Sequence, residues 1–200
     1  MVIATPQIGT DIEPRRRRWT RADFERVEAA GLFGADERLE LIGGDIFEEA
    51  PVNSPHATGF TLVDQALRAI LSSGLLIRTQ IPIAIGTDSQ PLPDIAIVEG
   101  TPRDFRDHHP TTALLVVEVA DTTLTSDRTI KASLYASAGI PEYWILNLYE
   151  RLLEVHHDPA PSPSQPFGHG YRSILRLTET ETVAPLFAPD ARIPVSDLLP

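Results

Sequence analysis

Asp94, Glu118 and Lys131 are the residues of this 200-residue chain whose types and placement could do chemistry. Asp94 opens the run PDIAIV directly after a Pro-Leu-Pro bend. Glu118 lies inside the apolar run ALLVVEVA, where an unpaired buried charge would be expensive, so its carboxylate is expected where a strand meets a cavity. Two carboxylates, with a main-chain carbonyl and waters, make an oxygen shell suited to magnesium, which keeps several waters and takes few protein ligands. Such an ion polarises a phosphoryl oxygen and lowers the pKa of a bound water. A nearby ammonium, that of Lys131, would orient the water or stabilise developing negative charge. These parts suffice for phosphodiester hydrolysis.

Each residue also has an ordinary reading. Asp127 and Lys131 stand four apart on one helical stretch and could form an exposed ion pair worth roughly half a kcal/mol or less. Asp94, after Pro93, could be a turn aspartate, and Glu118 could pair with an arginine across the sheet. Spacing alone leaves both readings open.

The elements that must position these groups can be read along the chain. Residues 1–18 mix Pro, Gly, Thr and Arg without periodicity and read as a loose arm, leaving 19–200 as one domain. Thr20 and Asp23 suggest a capping box before a helix through Phe24, Val27 and Leu32 that ends at Gly31 or Gly34. RLELIGGDIFEEA reads as a hairpin turning on Gly43-Gly44. Ser54 is placed to cap a helix carrying Phe60, Val63, Leu67, Ile70 and Leu71, which Gly74 closes. LLIRTQIPIAI, PDIAIV and ALLVVEVA follow as strands, then the helix DRTIKASLYASAG, stopped by Gly139 and Pro141. YWILNLYERLLEVHH is a hairpin turning near Tyr149-Glu150; 158–168 read as a Pro/Ser-rich loop; YRSILRL and a short segment near Thr182 to Leu186 complete the strands. The order implies a mixed α/β fold, a sheet flanked by helices.

Composition narrows the functional classes. No cysteine is present, which excludes disulfides, thiolate zinc sites and a cysteine nucleophile, and suits a reducing cytoplasm. The longest apolar run, Ala113 to Val117, is strand-sized, so no membrane span is expected, and the first residues lack the pattern of a secretory signal. The net charge of −11 runs against nucleic-acid binding, which draws affinity from phosphate neutralisation. The one basic cluster, Arg15 to Arg18, reads either as a phosphate-gripping arm or as a solvated run before a helix.

The segments PD-IAIV, LLVVEVADTTL and DR-IK-LYA-AGIPEYW-LNL resemble the Uma2 family of restriction-endonuclease-type proteins, part of the broader PD-(D/E)XK nuclease-like class. The likeness starts at RLELIGGDIFEEAP and runs to about His157; its specific part is Glu118 to Trp144. The resemblance implies a restriction endonuclease-like core in which Asp94 and Glu118 bind a divalent metal, magnesium or manganese. The broader class places its lysine two positions after the second acid, where this chain has Ala120; the Uma2 pattern takes a lysine from the next helix, and Lys131 matches it. Glu40 matches the acid of the first family motif, as a further ligand or water-orienting group, or else is an exposed strand residue between Leu39 and Leu41. Gln80 is a candidate polar group at the metal edge, and His56 a phosphate contact or a capping residue. Asp121 could add a carboxylate or cap a turn, while Tyr135, Tyr143 and Trp144 read as core aromatics.

Three functions are consistent with these residues: a magnesium-dependent endonuclease acting on DNA, a catalytically silent nuclease-fold domain that binds a partner, and a hydrolase of small phosphate-containing substrates. Cutting two strands would suit a homodimer, with the edge of the Tyr143 to His157 hairpin as one place to form it.

Overall fold

The computed structural model describes residues 16–34 and 37–200. Most of the expected N-terminal arm, Arg15 included, lies outside the described residues, but Arg16 to Arg18 are tied down: Arg16 pairs with Asp45 at 3.2 Å and Arg18 donates to the Gly43 carbonyl. Thr20 caps α1 (Arg21–Ala29), accepting the Asp23 N–H at 3.1 Å and donating to the Asp23 carboxylate at 2.9 Å. Thr20 therefore caps the helix as expected, but the reciprocal half of the capping box differs: Asp23 takes the Thr20 hydroxyl and not its backbone N–H. The helix ends before Leu32, which is exposed rather than part of its buried face.

Strands β1 (Leu39–Ile42) and β2 (Asp45–Glu48) make the expected hairpin. Gly43 and Gly44 take φ of 56° and 81°, the left-handed pair that a two-residue hairpin turn requires. A Cβ on Gly44 would also stand 2.6 Å from that of Arg18, so this turn admits no side chain. Helix α2 (Ser54–Ala69) is capped by Asn53 rather than Ser54: the Asn53 side chain accepts the His56 N–H at 3.0 Å, which leaves Ser54 and Pro55 inside the first turn. The helix stops at Ala69; Gly74 (φ 86°) turns the chain into the next strand instead of closing the helix.

Six strands form the main sheet in the order β3-β4-β5-β6-β7-β8: β3 (Leu75–Thr79), β4 (Ile95–Glu99), β5 (Leu115–Ala120), β6 (Glu142–Asn147), β7 (Leu152–Pro161) and β8 (His169–Thr178). The strand expected to run through Ile85 ends at Thr79, because Gln80 turns left-handed (φ 52°). Asp158 to Pro161, expected in a loop, continue β7, and Pro159 to Pro161 pair with β8. That pairing also covers the hairpin edge proposed for a dimer: β7 lies between β6 and β8, so the outer strand is β8. Short strands β9 (Thr182–Val183) and β10 (Ile193–Pro194) make a separate ribbon, β9 being shorter than the Thr182 to Leu186 segment expected.

Neighbouring strands pair antiparallel except β5 and β6, which are parallel and therefore need a crossover. The crossover was expected as one regular helix; it is built as α3 (Leu124–Ser126), a π-helical turn (Asp127–Lys131) and α4 (Ala132–Ser137). Because β5 is covered on both faces, it reads as an almost unbroken apolar run. Leu115, Val117 and Val119 pack with α2 residues Val63 and Leu67 on one face. Val116 and Ala120 pack with Leu134 and Tyr135 of α4 on the other. Glu118 shares that second face, by the alternation of the strand. Among the described residues no helix is long and apolar enough to cross a membrane.

Candidate active site

The parallel crossover decides where chemistry can occur. A helix leaving the carboxyl end of β5 must fold back over that end, which sets its first turns above Glu118. The π turn is the device that aims side chains there. Its wider i→i+5 bonding is uncommon and is frequent at functional sites. It turns both Asp127 and Lys131 inward, 1% and 7% exposed, so the exposed ion pair considered from spacing does not form. Lys131 instead donates to Glu118 Oε1 at 3.1 Å and lies 3.5 Å from Glu40 Oε2.

Glu118 is 4% exposed, and its Oε1 also accepts the Tyr135 hydroxyl at 2.7 Å. Tyr135 thus packs in the core as expected and additionally carries a polar contact that aromatic spacing gave no sign of. Glu118 Oε2 accepts no hydrogen bond from the described residues. Asp94 reaches the same point from the start of β4: its Oδ2 accepts the Val119 N–H at 2.8 Å and its Oδ1 meets His56 Nε2 at 3.2 Å. His56 rides on the first turn of α2, so the Asn53 cap fixes it in place. Glu40 is buried, not an exposed strand residue; its Oε2 accepts the Leu92 N–H at 3.3 Å.

These groups line a cleft of about 180 Å³. Its lining contains Glu40, Glu48, Glu49, Asp94, Glu118, Asp121 and Asp127 against Lys131, Arg38 and His56. Asp121 sits at the rim and accepts from the Asn53 amide. Gln80 is outside the cleft lining and acts through Arg38, which donates to it at 3.2 Å and pairs with Glu49 at 2.7 Å. Glu49 and Asp127 were not among the expected site residues. Asp127 was read only as a helix partner of Lys131, and Glu49 is one acid of the exposed-looking pair Glu48-Glu49, with no sequence signal to separate it.

Electrostatics follow from that excess of acid. Burial pushes the Glu118 carboxyl well above its ordinary range; Lys131 opposes the shift, while Asp94, Asp127 and Glu40 add to it. Burial would discharge Lys131, but Glu118, Glu40 and Asp127 outweigh it and hold the ammonium firmly charged. Burial also raises Asp94, yet the His56 hydrogen bond and charge, the Val119 N–H and Lys131 prevail, so Asp94 stays ionised below its usual value. The Asp94 hydrogen bond correspondingly raises His56 against the effect of burial. Burial and the Glu118 charge raise Tyr135, keeping its hydroxyl a donor.

The donor set fits a hard divalent cation held by few protein ligands. Glu118 leaves one oxygen open in the cleft that Asp94 also lines, and Asp127 Oδ1 is buried without a hydrogen-bond partner among the described residues. Among the described residues no three His, Cys, Asp or Glu side chains form a ready-made metal cage.

Comparisons with known proteins bear on the family and the fold. A family model for Uma2, described as "Putative restriction endonuclease", matches residues 21–196. No curated protein matches the chain in sequence. The crystal structure of a putative nuclease belonging to DUF820 from Anabaena variabilis ATCC 29413 superposes with a TM-score of 0.66 at 15% identity, covering 90% of this chain and 97% of that one. At that identity the match speaks to the fold. The type IIG restriction endonuclease BpuSI aligns over 55% of this chain and 13% of its own, at 19% identity and a TM-score of 0.35, too low to add to it.

Proposed function

The chain belongs to the Uma2 restriction-endonuclease family, and from that premise we propose that it is a divalent-metal-dependent endonuclease hydrolysing DNA phosphodiester bonds, with Asp94 and Glu118 as metal ligands, Lys131 as the catalytic cation and Glu40 as an auxiliary acid. The observation that carries the reading is the division of labour on Glu118: Lys131 and Tyr135 both hold Oε1, which leaves Oε2 for a cation beside Asp94. A bound magnesium or manganese ion would supply Lewis-acid polarisation of the phosphoryl group and a more acidic water. The chain's own residues do the rest. His56 and the Val119 N–H lock the Asp94 carboxylate so that it need not reorganise. Lys131, shared between Glu118 and Glu40, keeps an ammonium in a water-poor cleft, where it is worth more to an accumulating negative charge than in bulk water. Glu40 accepts from the loop that leads into Asp94 and shares Lys131, so it fixes how far that ammonium extends.

The acidic cleft also explains why a cation must come first. A phosphate would be repelled by the excess carboxylates until a divalent ion and Lys131 offset them. The net charge of −11 favours a second reading, a metal-free domain that binds a protein partner. One experiment separates the two. Cleavage of plasmid and linear DNA with magnesium or manganese is measured for the wild type, Asp94→Ala and Lys131→Ala, with calorimetric titration of manganese on the wild type. The nuclease reading expects losses on the order of 10³-fold for Asp94→Ala and 10²-fold for Lys131→Ala. Activity untouched by both substitutions, or no manganese binding at millimolar concentration, would leave the partner-binding reading.

A further inference from the structure

The cleft has two unlike walls. Its floor carries the acids and the lysine: Glu118, Asp94 and Lys131 are 4%, 7% and 7% exposed. One side is apolar instead, built by Phe47 near the end of β2 and by Ala50, Pro51 and Val52 in the segment that leads to α2. Phe47 and Val52 are 41% and 47% exposed, and neither packs into the two apolar cores of the molecule. Among the described residues Phe47 stacks on no other ring. A single exposed apolar side chain on an open surface is ordinary. This one faces a cleft floored by buried carboxylates and an ammonium.

Hairpin register fixes how near that ring is to the candidate chemistry. Phe47 stands directly opposite Glu40, so the two side chains leave the hairpin on one face with Cβ atoms about 5 Å apart. Glu40 in turn places Oε2 at 3.5 Å from Lys131 Nζ. A phosphodiester seated against Lys131 would therefore carry the base of its own or the adjoining nucleotide past Phe47. In a duplex that base is paired and stacked, so only an unpaired or extruded base can meet the ring. The charge balance points the same way. A chain of net charge −11 is poorly placed to draw affinity from neutralising many phosphates, whereas stacking on a ring needs no positive surface.

We propose that Phe47, flanked by Pro51 and Val52, is the stacking platform for a base of single-stranded DNA, so that the cleft admits an unpaired strand in preference to a duplex. The proposal rests on the nuclease reading for the chemistry at Lys131, but the stacking itself is measurable without it. Phe47 touches no reacting atom. It sets which strand enters and where the phosphate beside the stacked base comes to rest. It does not read sequence, since every base offers a π face.

The test is fluorescence anisotropy of a labelled oligothymidylate and of a blunt duplex of equal length, with calcium in place of magnesium. The wild type is expected to bind the single strand about tenfold or more tightly than the duplex. Phe47→Ala should weaken single-strand binding roughly 5- to 150-fold, the range of one stacked base. Its slope of log affinity against log salt should stay that of the wild type, because no phosphate contact is lost. Phe47→Trp should retain the affinity, whereas Phe47→Leu, apolar but without a π face, should lose most of it. An abasic strand of the same length should bind wild type and Phe47→Ala alike. Duplex binding as tight as single-strand binding, equal single-strand binding by wild type and Phe47→Ala, or a wild type that binds neither overturns the platform. Cleavage of the same DNAs with manganese is followed in parallel for the wild type and Asp94→Ala. Cleavage that needs Asp94, with single-strand binding unchanged in Phe47→Ala, removes the platform and leaves the nuclease reading standing. Affinity that depends on Phe47, without cleavage of either DNA, keeps the platform and removes the nuclease reading.

Discussion

Glu118 and Glu154 are two buried glutamates in one row of one sheet, on the same face, with only Ile145 between them. Their surroundings drive them in opposite directions. Glu154 is gripped by Arg128 through both oxygens, at 3.0 and 3.1 Å from Nε, and Asn147 adds a donor at 3.4 Å. Burial raises its carboxyl, but His156, Arg128 and Asn147 overcome this and bring it down to about 2. His156 Nε2 stands 3.7 Å away, long for a hydrogen bond, so the guanidinium is the principal cause. Glu118 has a single lysine, a tyrosine on the same oxygen, and three further carboxylates in range, and its carboxyl is driven up. A buried carboxylate whose partners satisfy it is a structural brace. One left with an open oxygen and excess negative neighbours is a place for a cation.

Parallel substitutions of the two residues test that contrast most severely. Glu154→Gln should cost about 2–3 kcal/mol, since it leaves Arg128 without its main partner, while manganese affinity in calorimetry stays near that of the wild type. Glu118→Gln should do the reverse, abolishing measurable manganese binding while costing only about 1 kcal/mol in urea unfolding, because Glu40 at 3.5 Å still pairs with Lys131 and no buried charge is left alone. Equal destabilisation by both would break the comparison and make the Lys131–Glu118 pair a brace as well.

Acid unfolding probes the Glu154 side alone. Its folded value lies below the ordinary 4.5, so its stabilisation is fully present above that pH and is lost as pH falls toward about 2. The shift corresponds to about 3 kcal/mol at most, and that part of the pH dependence should disappear in Glu154→Gln. Identical acid profiles for the two proteins would show that Arg128 does not control this carboxyl.

The smallest effect concerns Asp127. Burial raises its carboxyl against the pull of Lys131 and the Thr123 hydroxyl, and Oδ1 has no hydrogen-bond partner among the described residues. In chelator, Asp127→Asn should gain about 1 kcal/mol, a rise of roughly 2–4 °C in Tm, because an amide carries no charge to desolvate. A fall in manganese affinity for the same variant would move Asp127 from neighbour to ligand.

Sheet, hairpins and both principal helices were legible because apolar periodicity and Gly-Gly, Thr-x-x-Asp and Gly-x-Pro signals are local. The misplacements share one cause: each depended on a contact that sequence does not display. Asn53 displaced Ser54 as the cap by reaching the His56 amide, Gln80 ended β3 by turning left-handed with its N–H on the Asp94 carbonyl at 3.0 Å, and Pro159 to Pro161 became strand only because β8 lay alongside. Within the candidate site, Asp94, Glu118, Lys131 and Glu40 could be singled out by type and motif. Glu49 and the polar role of Tyr135 could not, since an acidic pair on a hairpin and a core tyrosine look ordinary in one dimension.

The sequence by itself therefore determined the parts: a charge inside an apolar strand, an aspartate at a strand start, a lysine on the following helix. Tertiary structure decided what they are to one another. The parallel β5–β6 crossover and its π turn bring Lys131 to 3.1 Å from Glu118, and α2 brings His56 to 3.2 Å from Asp94. The same sheet gives Glu154 an arginine and gives Glu118 an open oxygen. Local propensity specifies which residues are buried, but only the packing of distant segments specifies which charges are buried together.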